Sequence, residues 1–417
     1  SSGNRRTWTF STWVKRSTLT DDKQSLIGSY GAQSDAGYTQ FRFQDGEVLN
    51  LTGWNTDWFT TNRKFRDVSA WYHIVLAVDT TNATAGNRLR LYINGTEETS
   101  FSQSNNPDEN EDLAINVNGE VTYVGAESYT SGGSRYFDGY MAETVLIDGL
   151  QLAPTSFGEF DEDSPTIWKP IDVSGLTRGT NGFYLDFEDS SNLGNDAFGD
   201  TDLTEVNLAA TDQSTDTCTN NFATMNPLYV GLNANESLAE GNLKGLNTGN
   251  GENNYVSTIG VSSGKWYFEA KANVAGDNYA TIGIVATDSV LQTNGSWLGS
   301  TSDSFFYNEN GGIGTNGSAT TTGLATYADN DIIGVRVNLD DNELHFYKNG
   351  TIITNTALSI TANKEYFFGG RVYSNATGWE FNFGSPAYAI SSGNADANGY
   401  GNFEYSVPSG YYALNSK

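Results

Sequence analysis

Asn87-Arg-Leu-Arg-Leu-Tyr-Ile-Asn-Gly-Thr96 and Asn342-Glu-Leu-His-Phe-Tyr-Lys-Asn-Gly-Thr351 are two versions of one pattern. In each, side chains alternate along a short run, and the run ends in Asn-Gly. Alternation predicts a strand with one buried and one wet face. Asn-Gly predicts the turn, because a type I′ hairpin needs positive φ at both central residues. The same hairpin in each half of the chain predicts two β-sandwich domains in tandem.

Strand-like runs extend outward from both hairpins. Thr7-Trp-Thr-Phe-Ser-Thr-Trp-Val-Lys15 puts Trp8, Phe10, Thr12 and Val14 on one face. Further runs cover 25–30, 37–43 and 48–51. Trp71-Tyr-His-Ile-Val-Leu-Ala-Val-Asp79 is apolar almost throughout, as a strand covered on both faces would be. Runs at 122–126, 140–148 and 182–187 complete a first domain, 1–188. The pattern then thins into Asn, Asp, Thr and Gly. This predicts an extended connector, 189–228, with one short strand at 204–208. Phe222, Met225 and Leu228 are placed to fasten it to either sandwich. The second domain, 229–417, has strands at 264–271, 280–286, 331–339, 343–348, 366–373 and 379–383. No amphipathic helical pattern exceeds about two turns; 154–160 is the best helical candidate. The fold class is all-β, two tandem sandwiches.

Composition agrees. The 417 residues allow two or three domains. Forty-six Gly and 13% aromatics suit many tight turns joining strands. No apolar run is long enough for a membrane-spanning helix. The net charge of −28 repels nucleic acid and anionic membranes, so neither is an expected partner. It leaves two readings: solubility in a salty medium, or carboxylates holding divalent cations. A single cysteine, Cys218, points to folding in a reducing cytosol. Two His are too few for a His-based zinc site. The start, Ser1-Ser-Gly-Asn-Arg-Arg, has neither Met nor a leader-like apolar core. It reads as a processed start or as a piece of a longer chain.

The ordered segments Trp71–Asp79, 89–95 and 137–147 together resemble the concanavalin A-like, laminin-G-type jelly roll over about 5–188. Segments 263–270, 280–285, 331–339 and 381–384 resemble a SPRY domain over about 229–415. That resemblance implies a bent two-sheet sandwich binding protein partners through loops. Ser2-Gly-Asn-Arg-Arg-Thr-Trp-Thr-Phe-Ser-Thr-Trp-Val-Lys-Arg16 resembles virion proteins of marine tailed bacteriophages. So do Ser156-Phe-Gly-Glu-Phe-Asp-Glu-Asp163, Asn181-Gly-Phe-Tyr-Leu-Asp-Phe187 and Thr217-Cys-Thr-Asn-Asn-Phe-Ala-Thr-Met-Asn-Pro227. This likeness implies a tail-fibre-like appendage on the virion surface, made in the host cytoplasm, and a homotrimer.

Several constellations carry candidate chemistry. Glu159-Phe-Asp-Glu-Asp163 approaches the carboxylate spacing of jelly-roll glycoside hydrolases. Its third position is Asp163, and Pro154, Gly158 and Pro165 mark a turn, so the expectation is a solvated acidic loop and no catalytic site. His73 is expected to be satisfied by a backbone carbonyl, and His345 to face solvent. Calcium is the one cofactor the jelly-roll resemblance implies, with Asp21, Asp22, Asp186 and Glu188 as candidate ligands. For ligand binding, Trp54 and Trp58 lie in a polar, loop-like segment, where sugar stacking competes with a core role. Trp297, Tyr307 and Tyr327 lie in loop-rich stretches of the SPRY-like half, whereas Trp379, Phe381 and Phe383 alternate as core.

These readings lead to a non-enzymatic adhesin that binds a host surface glycan or protein through sandwich rim loops. The alternatives are a capsid or tail decoration bound to other virion proteins and, third, a polysaccharide depolymerase acting through Glu159 and Asp161.

Overall fold

The computed structural model describes residues 3–19, 22–127, 134–199, 201–229, 235–289, 291 and 296–417. Among these, the only helices are four single 3-10 turns. Among the described residues no helix is long and apolar enough to cross a membrane. The chain divides into two compact units, Ser1–Gln213 and Ser214–Lys417. Each is a β-sandwich.

In the first unit, one antiparallel sheet runs Phe183–Leu185, Gly139–Asp148, Thr7–Arg16, Tyr72–Asp79, Leu89–Ile93, Thr96–Glu98. The other runs Thr122–Val124, Gln24–Tyr30, Tyr38–Gln44, Val48–Thr52, Asp57–Thr61, Phe101–Ser104. Period-two alternation sends Trp8, Phe10 and Val14, then Phe41 and Phe43, then Ile74, Leu76 and Val78 into one core. The first sheet is covered on its other face too. There Val75, Val145 and Ile147 pack with Phe157 and Val173. Double cover is why 71–79 is apolar almost throughout.

That cover includes a short antiparallel pair, Gly158–Phe160 with Trp168–Pro170. Glu159 therefore sits on a short strand and not in the loop the sequence suggested. Trp168 stacks on His73 at 5.9 Å and donates from Nε1 to His73 Nδ1 at 2.9 Å. Trp13 stacks on the same imidazole at 4.8 Å. With Nδ1 accepting, Nε2 holds the proton and donates to Ser11 Oγ at 2.9 Å. The expected backbone carbonyl is replaced by side chains, because carbonyls beside His73 are engaged in the strand ladder. Burial pushes the imidazole down to about 3, so it stays neutral.

The twin hairpins share more than their turn. Asn94 and Gly95 have φ of 48° and 76°, and Asn349 and Gly350 repeat both values. Asn94 Oδ1 accepts from the His73 amide at 2.8 Å, and Asn349 Oδ1 from the Ile332 amide at 2.8 Å. A β-carbon on Gly95 would overlap the Trp168 ring, and one on Gly350 the Tyr405 ring. Each turn thus demands glycine twice, for its dihedrals and for an aromatic lid.

The second unit has a larger sheet running Glu236–Ala239, Lys244–Asn247, Gly378–Asn382, Lys265–Asn273, Ile332–Asn338, Glu343–Lys348, Thr351–Ile352. Leu358–Ser359 pairs beside Glu343–Lys348, and Tyr412–Ala413 runs parallel to Lys265–Asn273. Its six-stranded partner runs Asn253–Val261, Tyr366–Val372, Thr281–Ala286, Ser304–Asn308, Ile313–Thr315, Ser318–Thr321. Trp379, Phe381 and Phe383 lie in the core between them. His345, expected at the surface, is buried. It pairs across the strands with Arg336, on the face where Arg336 lies over the rings of Tyr347 and Tyr411.

Residues 189–228 divide between the units. Gln213 Nε2 donates to the carbonyls of Phe187 and Glu188, both at 2.8 Å. Phe222 and Met225 are buried within the second unit, while Leu228 is exposed. Thr204–Leu208 forms no strand.

Candidate functional site: a polar sheet face in the first unit

Alternation that sends Phe41, Phe43, Leu49, Leu51 and Phe59 inward leaves the opposite face of the second sheet to polar side chains. Register sets them in rows. Tyr123, Gly28, Gln40 and Thr52 lie side by side across four strands. Ser25, Arg42, Asn50 and Thr60 form the next row. Gly28 matters here: a β-carbon would collide with the Gln40 carboxamide, which lies across it.

This floor has unused hydrogen-bonding capacity. Asn50 Nδ2 donates to the Phe59 carbonyl at 3.0 Å and to Thr60 Oγ1 at 3.2 Å, yet its Oδ1 has no partner. Gln40 Nε2 and Arg42 Nε also lack partners. Gln40, Arg42 and Asn50 are all at least nine-tenths buried. Unsatisfied buried polar atoms cost about 1–3 kcal/mol each. Three such atoms lie on this one face.

Aromatic rings border the floor. Tyr30 stands opposite Tyr38, with centroids 6.1 Å apart. Trp54 meets Tyr38 edge-on at 5.8 Å and Tyr30 at 6.2 Å. Trp54 and Tyr30 are half-buried. Asp35 fixes the turn carrying Trp54, accepting from the Asn55 amide at 2.6 Å and from Thr56 Oγ1 at 2.9 Å. The Tyr38 hydroxyl donates to buried Glu127, which also binds Arg135 and lies 3.9 Å from Arg42. Burial, then Glu127, pushes the Tyr38 phenol up to about 12.

The other predicted residues fall elsewhere. Trp58 is buried in the core, a correction to its loop-like reading. Leu51 pairs with Phe59 and Thr52 with Asp57, so Trp58 sits in a bulge that turns it inward. Asp21 lies outside the described residues. Asp22 precedes Gln24–Tyr30 in one sheet, whereas Asp186 and Glu188 follow Phe183–Leu185 in the other. Among the described residues no acidic or His/Cys group assembles into a metal site. Asp186 Oδ1 instead accepts from the Glu188 amide at 3.1 Å. Glu159 and Asp161 both contact Lys169, at 3.4 and 3.2 Å. The Lys169 hydrogen bond lowers the Asp161 carboxyl, the opposite of what a general acid needs.

Residues 2–150 match the model of the concanavalin A-like lectin/glucanases superfamily, and residues 265–386 match the SPRY domain model. The chain carries these two domains in tandem. No curated protein matches the chain. Among solved structures, the human HERC1 SPRY domain is 18% identical, covers 38% of this chain and 96% of its own, and has a TM-score of 0.31. The TRIM65 PSpry domain is 14% identical, with 38% and 91% covered and a TM-score of 0.31.

In the SPRY half, two of the three expected binding aromatics are core residues. Tyr307 lies on the strand Ser304–Asn308 and is fully buried; Tyr327 is buried against it at 5.0 Å. Their surroundings read as loop because Gly and Asn are frequent there, but strand pairing claims Tyr307, and Tyr327, between strands, is held inside by its hydroxyl donating to the Ala280 carbonyl at 3.0 Å. Trp297 is half-buried and stacks on the Arg371 guanidinium, 4.6 Å away. Sequence reasoning missed Tyr279 and Tyr373, which are 52% and 37% exposed with centroids 5.1 Å apart.

Proposed function

We propose that this chain is a non-enzymatic adhesin whose concanavalin A-like half binds a host surface glycan. The observation that carries the reading is the polar face of its second sheet. Buried Gln40, Arg42 and Asn50 keep unpartnered polar atoms there, beside the half-buried rings of Trp54 and Tyr30. Pyranose recognition needs both features: an aromatic face for the C–H surface and fixed polar groups for hydroxyls. The likeness of 2–16, 156–163, 181–187 and 217–227 to marine phage virion proteins supports an appendage on a virion surface, assembled as a homotrimer. Weak sites on several copies would then act by avidity.

A glycan array followed by whole-cell binding tests this. Trp54→Ala is expected to weaken retention by about tenfold, the loss of one stacking partner. Exclusive, stoichiometric binding to one capsid or tail protein, with no glycan retained, would replace adhesion by decoration. Polysaccharide cleavage abolished by Glu159→Gln would replace it by depolymerisation.

A further inference from the structure

We propose that the SPRY unit holds a second site, built on Tyr279 and Tyr373, that takes a cationic peptide: a lysine- or arginine-bearing segment of a protein partner. This goes beyond the glycan reading and does not depend on it.

One buried carboxylate builds the platform. Asp277 accepts from the Tyr279 amide at 2.8 Å, the Tyr373 amide at 2.6 Å, the Ser374 amide at 2.9 Å and Thr377 Oγ1 at 3.0 Å. Both exposed tyrosines are therefore tethered to the same side chain. Arg371 ties in the neighbouring segments. It makes a bidentate pair with Glu252 at 2.5 and 2.7 Å and donates to the Tyr279 carbonyl at 2.6 Å. Its guanidinium lies 5.5 Å from the Tyr279 ring and 4.6 Å from Trp297.

A separate observation indicates the ligand. Glu309 is nine-tenths buried, and only its Oε1 is engaged, by Asn310 Nδ2 at 2.6 Å. Oε2 has no partner. Burial, and then the nearby charge of Asp277, raises this carboxyl to about 7, while Arg371 acts the other way. The one arginine here is already matched by Glu252, so Asp277, and Glu309 whenever it ionises, leave negative charge uncompensated. A neutral polyol would not relieve that. An ammonium or guanidinium would, and it would also gain from the tyrosine faces by cation–π attraction. The whole chain, with 22 Lys and Arg against 50 Asp and Glu, draws cations toward it.

The test is fluorescence anisotropy of the full chain with a fluorescein-labelled Lys-Gly-Lys-Gly-Lys peptide in about 150 mM salt, where diffuse attraction is screened. Saturable binding is expected. Glu309→Gln and the double change Tyr279→Ala with Tyr373→Ala should each weaken it about tenfold, and Tyr279→Phe, which keeps the ring, should not. Glu162→Gln removes at least as much charge from an exposed position in the other unit and should leave binding unchanged. Weakening by Glu162→Gln as large as by Glu309→Gln would overturn the site. So would the absence of saturable binding, or equal affinity for a Ser-Gly-Ser-Gly-Ser peptide. If the double variant fails to fold, Glu309→Gln alone decides.

Discussion

Two buried titratable groups make opposite predictions at the scale of single residues. His73 has a folded value of about 3 against 6.5 in the open chain. Between those values the unfolded chain binds a proton that the folded chain refuses. Its contribution is therefore complete above pH 6.5 and drains away as pH falls toward 3, on the order of 4 kcal/mol in all. His73→Gln can still bond Ser11 and Trp168 but cannot titrate. It should lower stability at pH 7 and flatten the acid slope, read as urea midpoints at pH 7 and pH 4; parallel slopes would refute the assignment. Glu309 reverses the sign. Its folded value of about 7 lies above the usual 4.5, so its stabilisation is full below pH 4.5 and lost as pH rises through 7. The charged groups facing it are Asp277 and Arg371, and it lies near the phenol of Tyr327. Glu309→Gln should raise the melting midpoint at pH 8, by roughly 2 kcal/mol of stability, and leave it unmoved at pH 4.5. The side chain read as part of a binding site is thus one that weakens the fold at neutral pH, a usual mark of function over stability.

At the scale of elements, the Asn-Gly hairpins were the most legible feature and remain the most demanding. Gly95→Ala and Gly350→Ala each force an alanine to positive φ and drive a β-carbon into Trp168 or Tyr405. Each should cost its own unit about 2–4 kcal/mol, the sum of dihedral strain and displaced packing. Tryptophan fluorescence in urea should show one early transition per variant and a second one unchanged. Strand alternation was legible for the same reason: where one face is core, period two is imposed on the sequence. Reading by polar neighbours alone failed at Trp58, which a strand bulge turns into the core. It failed at Tyr307, because Asn- and Gly-rich neighbours signal turns even where a strand intervenes. Of the candidate glycan face only Trp54 was visible beforehand. Gln40 and Arg42 look like the solvent side of any strand until register shows them beside Asn50 with atoms left unpaired. Glu127 joins them only through tertiary contact with Tyr38 and Arg135.

At the scale of the molecule, the question is where one folding unit stops. Thinning of the apolar pattern suggested a second domain beginning at Tyr229, but packing places the division after Gln213. Residues 222–225 are tied into the second unit along the backbone. The Ala223 amide donates to the Leu414 carbonyl at 2.9 Å, the Thr224 amide to Thr258 Oγ1 at 3.0 Å, and the Met225 amide to the Asn242 carbonyl at 2.8 Å. Phe222 packs with Tyr267, Phe403 and Tyr411, and Met225 lies in the main core. Full burial of two such side chains is worth about 1.5–3 kcal/mol apiece. A fragment 214–417 should therefore melt cooperatively, and 229–417 should lose about 4 kcal/mol or fail to fold. The comparison is made by circular dichroism melts and dispersion of amide proton shifts. Equal midpoints for the two fragments would mean that Phe222 and Met225 decorate the sandwich without holding it. A lower midpoint restored by adding back 214–228 as a free peptide would show that the segment is an integral strand-like edge of the second fold, and that the sequence boundary fell inside a domain because its anchors are isolated apolar residues in a polar run.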